Sequence, residues 1–138
     1  MNLEKIEELW EKDSNIDEFN LDNESLKIPQ LHQRYMVFYN QFSLMLSDAE
    51  TKLNRLRKQK FEFYSGKKSY DGEMFDLKVL KGDLHLYLDS DPDIAKQIQK
   101  IDYLKTCINY LEGILKQVNN RTYHIKNAIE VKRFEFGA

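Results

Sequence analysis

Residues 29–66 read PQLHQRYMVFYNQFSLMLSDAETKLNRLRKQKFEFYSG, and the spacing of their apolar side chains decides the fold. Leu31, Tyr35, Phe38, Phe42, Met45 and Ala49 follow one another in steps of four and three, and Leu53, Leu56 and Phe63 continue the series. At helical periodicity these positions fall within an arc of about 80°, the narrow seam of a helix that packs against other helices. The step from Ala49 to Leu53 repeats a four, which predicts a stutter that locally unwinds any supercoil. Pro29 suits a first helical turn, where its missing N–H costs nothing, and Ser65-Gly66 suits a helix end that needs positive φ. The stretch predicts one helix over 29–64. Its ~36 residues would span ~54 Å, longer than a small compact domain is wide, so the seam is expected to need partners from other copies of the chain.

Working outward, a second seam runs Ile94, Ile98, Ile101, Leu104, Ile108, Leu111, Leu115, Val118. Asp91-Pro92-Asp93 supplies its start: an Asp to cap free N–H groups, Pro at the first position, and an acid facing the positive end of the dipole. Asn119-Asn120 reads as a break, followed by a short helix over 121–135 carrying Tyr123, Ile125, Ile129 and Phe134. Ile101, Leu104, Ile108, Leu111 and Leu115 are the residues expected to pack between subunits. Leu3, Ile6, Leu9 and Trp10 mark a short amino-terminal helix, and 14–28 reads as a linker with anchors at Ile16, Phe19 and Leu21. Over 73–88 the leucines fit both a strand alternation and a helical spacing, and the helix is chosen. The expected organisation is a single all-α domain: 1–28 short helix and linker, 29–64 long helix with a basic end, 73–138 carboxy-terminal helices for assembly.

The composition excludes several classes. The 138 residues contain 5 Gly and 2 Pro, against a usual combined share of about 12%, too few for the tight turns of a sandwich or barrel. A single cysteine, Cys107, forms no internal disulfide, and Met1-Asn2-Leu3-Glu4-Lys5 lacks the layout of a secretory signal, so a cytoplasmic protein is expected. The longest uncharged stretch, Tyr35 to Ser47, is 13 residues, short of the ~20 apolar residues of a membrane span. No membrane partner is expected.

Charge is segregated along the chain although the formal net value is −2. Residues 52–70 carry seven basic groups and one acid, whereas 1–30 carry three basic and nine acidic and 71–93 carry two and seven. Such a block presents a strong local field within a slightly acidic chain. It comprises Lys52, Arg55, Arg57, Lys58 and Lys60 on the last turns of the long helix, then Lys67 and Lys68. Lys52, Arg55 and Lys58 share one flank, Arg57 and Tyr64 the other, and Lys60 falls inside the apolar arc, where it either snorkels out of the bundle's end or joins a collar of charge in a ring. Phe61, Phe63 and Tyr64 are interleaved with these cations, and aromatic faces on a cationic track bind single strands without sequence preference. The competing reading is a solvated helical end with its aromatics in the core; both stay open on the residues alone.

Other chemistry fits poorly. His32, His85, His124 and Cys107 form no metal-ligand spacing. Asp89, Asp91 and Asp93 imitate the opening of a calcium loop, but Ile94 stands where Gly is required and Lys100 where Glu is. Gly66-Lys67-Lys68-Ser69 follows no strand and has Phe61 in place of a phosphate loop's first glycine. No nucleophile and base stand at recognisable spacing, so neither an enzyme nor a metal or cofactor is expected; a carboxylate-metal nuclease using acids of 71–93 is the remote enzymatic alternative.

Lys58-Gln59-Lys60, then Phe61-Glu62-Phe63 and Tyr64-Ser65-Gly66 closing a long helix, together with Tyr87-Leu88-Asp89, Asn119-Asn120-Arg121, Ile125-Lys126-Asn127-Ala128-Ile129-Glu130 and the terminal Phe134-Glu135-Phe136-Gly137, resemble in order the UvsY-like recombination mediators of T-even-like phages. The resemblance covers essentially the whole chain. It implies a mostly helical protein that assembles into a ring-like homo-oligomer, binds single-stranded DNA, and helps load a RecA-like recombinase onto strands covered by single-stranded-DNA-binding protein, in the cytoplasm of the infected bacterium. Lys58 and Lys60 match the family's DNA-contacting pair, with Arg55, Arg57, Lys67, Lys68 and Tyr64 around them as further candidates, and the carboxy-terminal helices match its assembly region. The alternative is a helical oligomeric scaffold that binds proteins only.

Overall fold

The structure, a computed structural model, describes residues 1–137. Its helices are α1 (Leu3–Asp13), α2 (Leu21–Leu26), α3 (Ile28–Tyr64), α4 (Leu84–Asp89, preceded by a 3-10 turn at Lys81–Asp83) and α5 (Pro92–Glu135). Among the described residues there is no strand, only an isolated bridge between Tyr70 and Glu73, and no helix long and apolar enough to cross a membrane. The chain divides into two compact units: residues 1–42 with 106 onward, and 43–105. Each contains part of both long helices.

In the first unit α1 begins at Asn2, whose side chain accepts from the Lys5 N–H at 2.9 Å, satisfying one of the free donors of the first turn. Ile6, Tyr35, Phe42, Cys107, Leu111, Ile114, Val118 and Ile125 form the core, with Trp10 edge-on to Tyr35 at 5.5 Å. The Asp13 carboxylate accepts from the Tyr35 hydroxyl and from Arg34, both at 2.8 Å. Burial first, and then the Asp13 hydrogen bond, push the Tyr35 hydroxyl's pKa above the ordinary tyrosine value. Tyr39 links α3 to Glu112 of α5.

Two expectations fail in this unit. Asn119-Asn120 does not break the helix, because α5 runs through to Glu135 and its buried face continues Val118, Arg121, Ile125. Arg121 fills a seam position and donates to the carbonyls of Asp13 at 3.1 Å and Asn15 at 2.8 Å and to Glu24 at 2.9 Å. These contacts outweigh the fraction of a kcal/mol that an Asn costs inside a helix. The expected linker 14–28 contains α2, held by buried Leu21 and by Glu24 through the same arginine.

In the second unit α3 ends in a Schellman arrangement. Gly66 has φ +77°, its N–H donates to the Phe63 carbonyl at 3.0 Å, and the Lys67 N–H donates to that of Glu62 at 2.9 Å. Asp71 and Gly72, at φ 52° and 79°, make the tight turn that the Tyr70–Glu73 bridge closes. Helix is therefore absent over 73–80, contrary to expectation. Leu77 and Leu80 are exposed while Leu84 is buried, so no apolar stripe exists to hold a helix there, and only Leu84–Asp89 forms one. Asp91 caps α5 as expected, its Oδ1 accepting from the N–H groups of Asp93 at 2.9 Å and Ile94 at 3.0 Å. The Gln97 side chain donates to the Ala49 carbonyl at 2.9 Å, so α3 and the start of α5 run antiparallel here.

The expected stutter in α3 is also absent. Met45 is 47% exposed and Leu46 takes its place, so the inward face runs Phe42, Leu46, Ala49, Leu53, Leu56, Lys60 in unbroken steps of four and three. Ile101, Leu104, Ile108 and Leu111, expected between subunits, are buried in their own chain, and Leu115 is half-buried. A side chain covered within its own subunit has almost no area left to offer a second copy.

Candidate nucleic-acid interface

The last four turns of α3 bring the expected basic residues together on one rigid element and then sort them. Arg55, Arg57 and Lys58 are exposed, and among the described residues no ion pair engages them. Lys52 is exposed but pairs with Asp48 at 3.1 Å, one turn earlier. Beyond the helix Lys67 is exposed, and Lys68 pairs with Glu62 at 3.2 Å with most of its side chain still in solvent. Such exposed pairs are worth little and yield readily to a phosphate.

Lys60 is different. It is 6% exposed, with its ammonium 3.1 Å from Asp91, 2.9 Å from Asp93 and 3.7 Å from the centre of the Tyr70 ring. Burial disfavours the ammonium, but the hydrogen bonds and charges of Asp93 and Asp91 outweigh it and hold the Lys60 pKa above the ordinary lysine value. Asp91 balances the same way: burial opposes its carboxylate, and the Tyr64 hydroxyl, the Ile94 N–H and Lys60 together hold its pKa below the usual range. Lys60 thus neither snorkels nor joins a collar of charge. It closes a buried ion pair and presents almost no surface to a strand.

Tyr64 belongs to the same cluster. Its hydroxyl donates to Asp91 at 2.6 Å, and burial with that hydrogen bond pushes its pKa up to about 12. Its ring packs with Phe75 at 5.0 Å, Phe63 at 5.1 Å and Tyr87 at 5.6 Å. Phe63 lies against Tyr70 and Phe75. The aromatics at this helix end therefore divide, with Phe63 and Tyr64 packed inward and Phe61 42% exposed.

Sequence reasoning places Lys60 in the apolar arc but misses its partners. The signal was present: a lysine in a seam needs a buried counter-charge, and Asp91 and Asp93 are the acids at the start of the next long helix. Among the described residues no group of three or more His, Cys, Asp or Glu side chains is arranged to hold a metal ion.

A family model described as "Recombination, repair and ssDNA binding protein UvsY" matches residues 9–138. Among solved structures the chain is similar to crystal structures of the bacteriophage T4 recombination mediator protein UvsY. One lattice form superposes at a TM-score of 0.87 with 24% identity over 98% of each chain. Another gives 0.88 with 22% identity over 97% of this chain and 99% of that one. At this identity the superposition shows a shared fold. Among curated proteins no sequence match was found.

Proposed function

The chain belongs to the UvsY family of recombination, repair and single-stranded-DNA-binding proteins, and from that premise we propose that it binds single strands through Arg55, Arg57, Lys58, Lys67 and Lys68. In this reading it is a mediator, helping to load a RecA-like recombinase onto strands covered by single-stranded-DNA-binding protein during phage recombination and repair in the infected host's cytoplasm. It works by binding and makes no bonds of its own. The observation that carries the reading is the exposed trio Arg55, Arg57 and Lys58, free of ion pairs among the described residues, on a helix end held rigid by its capped terminus.

The physics of such a surface is sequence-independent. Phosphate contacts position a strand without reading it, and each releases condensed counterions. A homo-oligomer, which we also propose, collects the weak contacts of many subunits, so avidity exceeds one subunit's affinity without new contacts. Since the seam leucines and isoleucines are spent inside the subunit, its contacts fall to the exposed apolar side chains at the end of α5: Ile129, Val131 and Phe134.

Replacing Arg57 and Lys58 together with Ala tests the reading. Affinity for single strands of any sequence should fall, and the slope of log affinity against log salt should flatten by roughly 0.7 for each phosphate the variant no longer neutralises. Helix content should survive, because both residues are exposed and alanine is the best helix former. Unchanged affinity and slope would favour the scaffold that binds proteins only.

A further inference from the structure

We infer that Phe61 is a base-stacking platform: the exposed ring, framed by Arg57 and Lys58, holds an unpaired base while the two cations take the phosphates beside it. This rests on the single-strand-binding reading above and adds to it the residue that contacts bases.

Three aromatics crowd the end of α3, and two are already engaged. Phe63 and Tyr64 pack into the ring cluster with Tyr70, Phe75 and Tyr87, and the Tyr64 hydroxyl is held by Asp91. Phe61 alone of the three is left with 42% of its surface in water. A lone exposed apolar residue is ordinary on a protein surface, so its surroundings decide. Arg57 and Lys58 stand four and three residues before it, which makes them its immediate neighbours on the helix surface. Helical side chains lean toward the amino terminus, so the ring lies over the turn that carries both. Both cations are exposed.

A ring bordered by cations extends no apolar patch that a protein partner would cover. It suits a ligand with a flat apolar face and an anionic backbone in adjacent positions, which is an unstacked nucleotide. Phe61 is also preorganised. Its backbone lies in the last turn of α3, and its carbonyl accepts from the Ser65 N–H at 3.0 Å in the capped end. A base docking on it orders little that is not already ordered. Duplex DNA offers phosphates but no free base faces, so this ring is where discrimination for single strands arises.

The test compares an ordinary single strand with a strand of equal length made of abasic sites, which keeps the phosphates and lacks the bases. The native chain should prefer the ordinary strand by roughly tenfold or more, the scale of one stacked base. Phe61→Ala should bind both strands alike, at the native affinity for the abasic one, with an unchanged salt slope and oligomer mass. Phe61→Trp should restore the preference, and its added emission should be quenched by the ordinary strand only. The proposal is overturned if the native chain binds both strands equally, if Phe61→Ala keeps the preference, or if Phe61→Ala weakens both equally while changing the assembly mass. The Arg57→Ala, Lys58→Ala pair separates the two readings. If it weakens binding while Phe61→Ala does not, stacking alone fails; if neither does, the single-strand-binding reading fails as well.

Discussion

Lys60 shows how one residue's neighbours reassign its role. A lysine two positions from the exposed Lys58 reads as a phosphate contact, yet its charge is matched inside the protein by Asp91 and Asp93. Lys60→Met would leave Asp91 buried without its cation. Breaking a fully enclosed pair costs about 3–5 kcal/mol, and here, because the Asp93 carboxylate is half in solvent, about 2–3 kcal/mol is expected from urea unfolding. The salt slope of strand binding should be unchanged, in contrast to Lys58→Ala. The pH dependence follows from the directions of the shifts. Asp91 is held below its ordinary value, so its contribution is complete above that value and is lost as pH falls through the lowered one. Lys60 is raised, and Tyr64 is raised to about 12, so their contributions are complete below their ordinary values and are lost as pH climbs through the raised ones. Stability measured by denaturant should therefore plateau between about pH 5 and 9 and fall on both sides. Asp91→Asn, which keeps a good capping side chain, should flatten the acid limb.

At the scale of the element, α5 is decided by Arg121. A break at Asn119-Asn120 is a fair reading of two weak helix formers, but it overlooks that an arginine can occupy a seam position when carbonyls and a carboxylate await it. Arg121 is 4% exposed and its side chain reaches Asp13, Asn15 and Glu24. Arg121→Met should cost about 2–3 kcal/mol, because Glu24 stays buried with only the half-exposed Lys27 at 3.3 Å as its cation, and the carbonyls of Asp13 and Asn15 lose their donor. It should raise hydrogen exchange across 14–26 more than in α3. Arg121→Lys should rescue little, since a point charge cannot reproduce a fork that serves three acceptors. The loop before α4 carries a similar lesson. Asp71-Gly72 is a tight-turn dipeptide, and it forms the turn that ends any helix reading there. Gly72→Ala, at φ 79°, should cost about 1 kcal/mol, read as a shift in unfolding midpoint.

For the whole molecule, the fate of the seam residues separates folding from assembly. Leu111 is fully buried within its subunit, so Leu111→Asp should unfold the chain rather than dissociate an intact oligomer. Val131→Asp with Phe134→Asp, both exposed at the end of α5, should lower the sedimenting mass while circular dichroism keeps the native helix content. An unchanged mass in that variant would move the proposed contacts to another surface.

The amino-acid order by itself determined the elements whose causes are local. The all-α class followed from the four-and-three spacing and the scarcity of Gly and Pro. The end of α3 at Ser65-Gly66 and the start of α5 at Asp91-Pro92 followed from capping chemistry confined to a few neighbouring residues. The basic block was equally legible, because charge is written residue by residue. Only the tertiary structure decided which of those charges remain free, since Lys60 and Asp91 lie 31 positions apart in the sequence and meet only when α3 and α5 run antiparallel. The same holds for Arg121 and for Phe61 facing water while Phe63 and Tyr64 turn inward. Burial is set by what the rest of the chain brings alongside, and periodicity along one helix carries no information about the neighbour that will cover it.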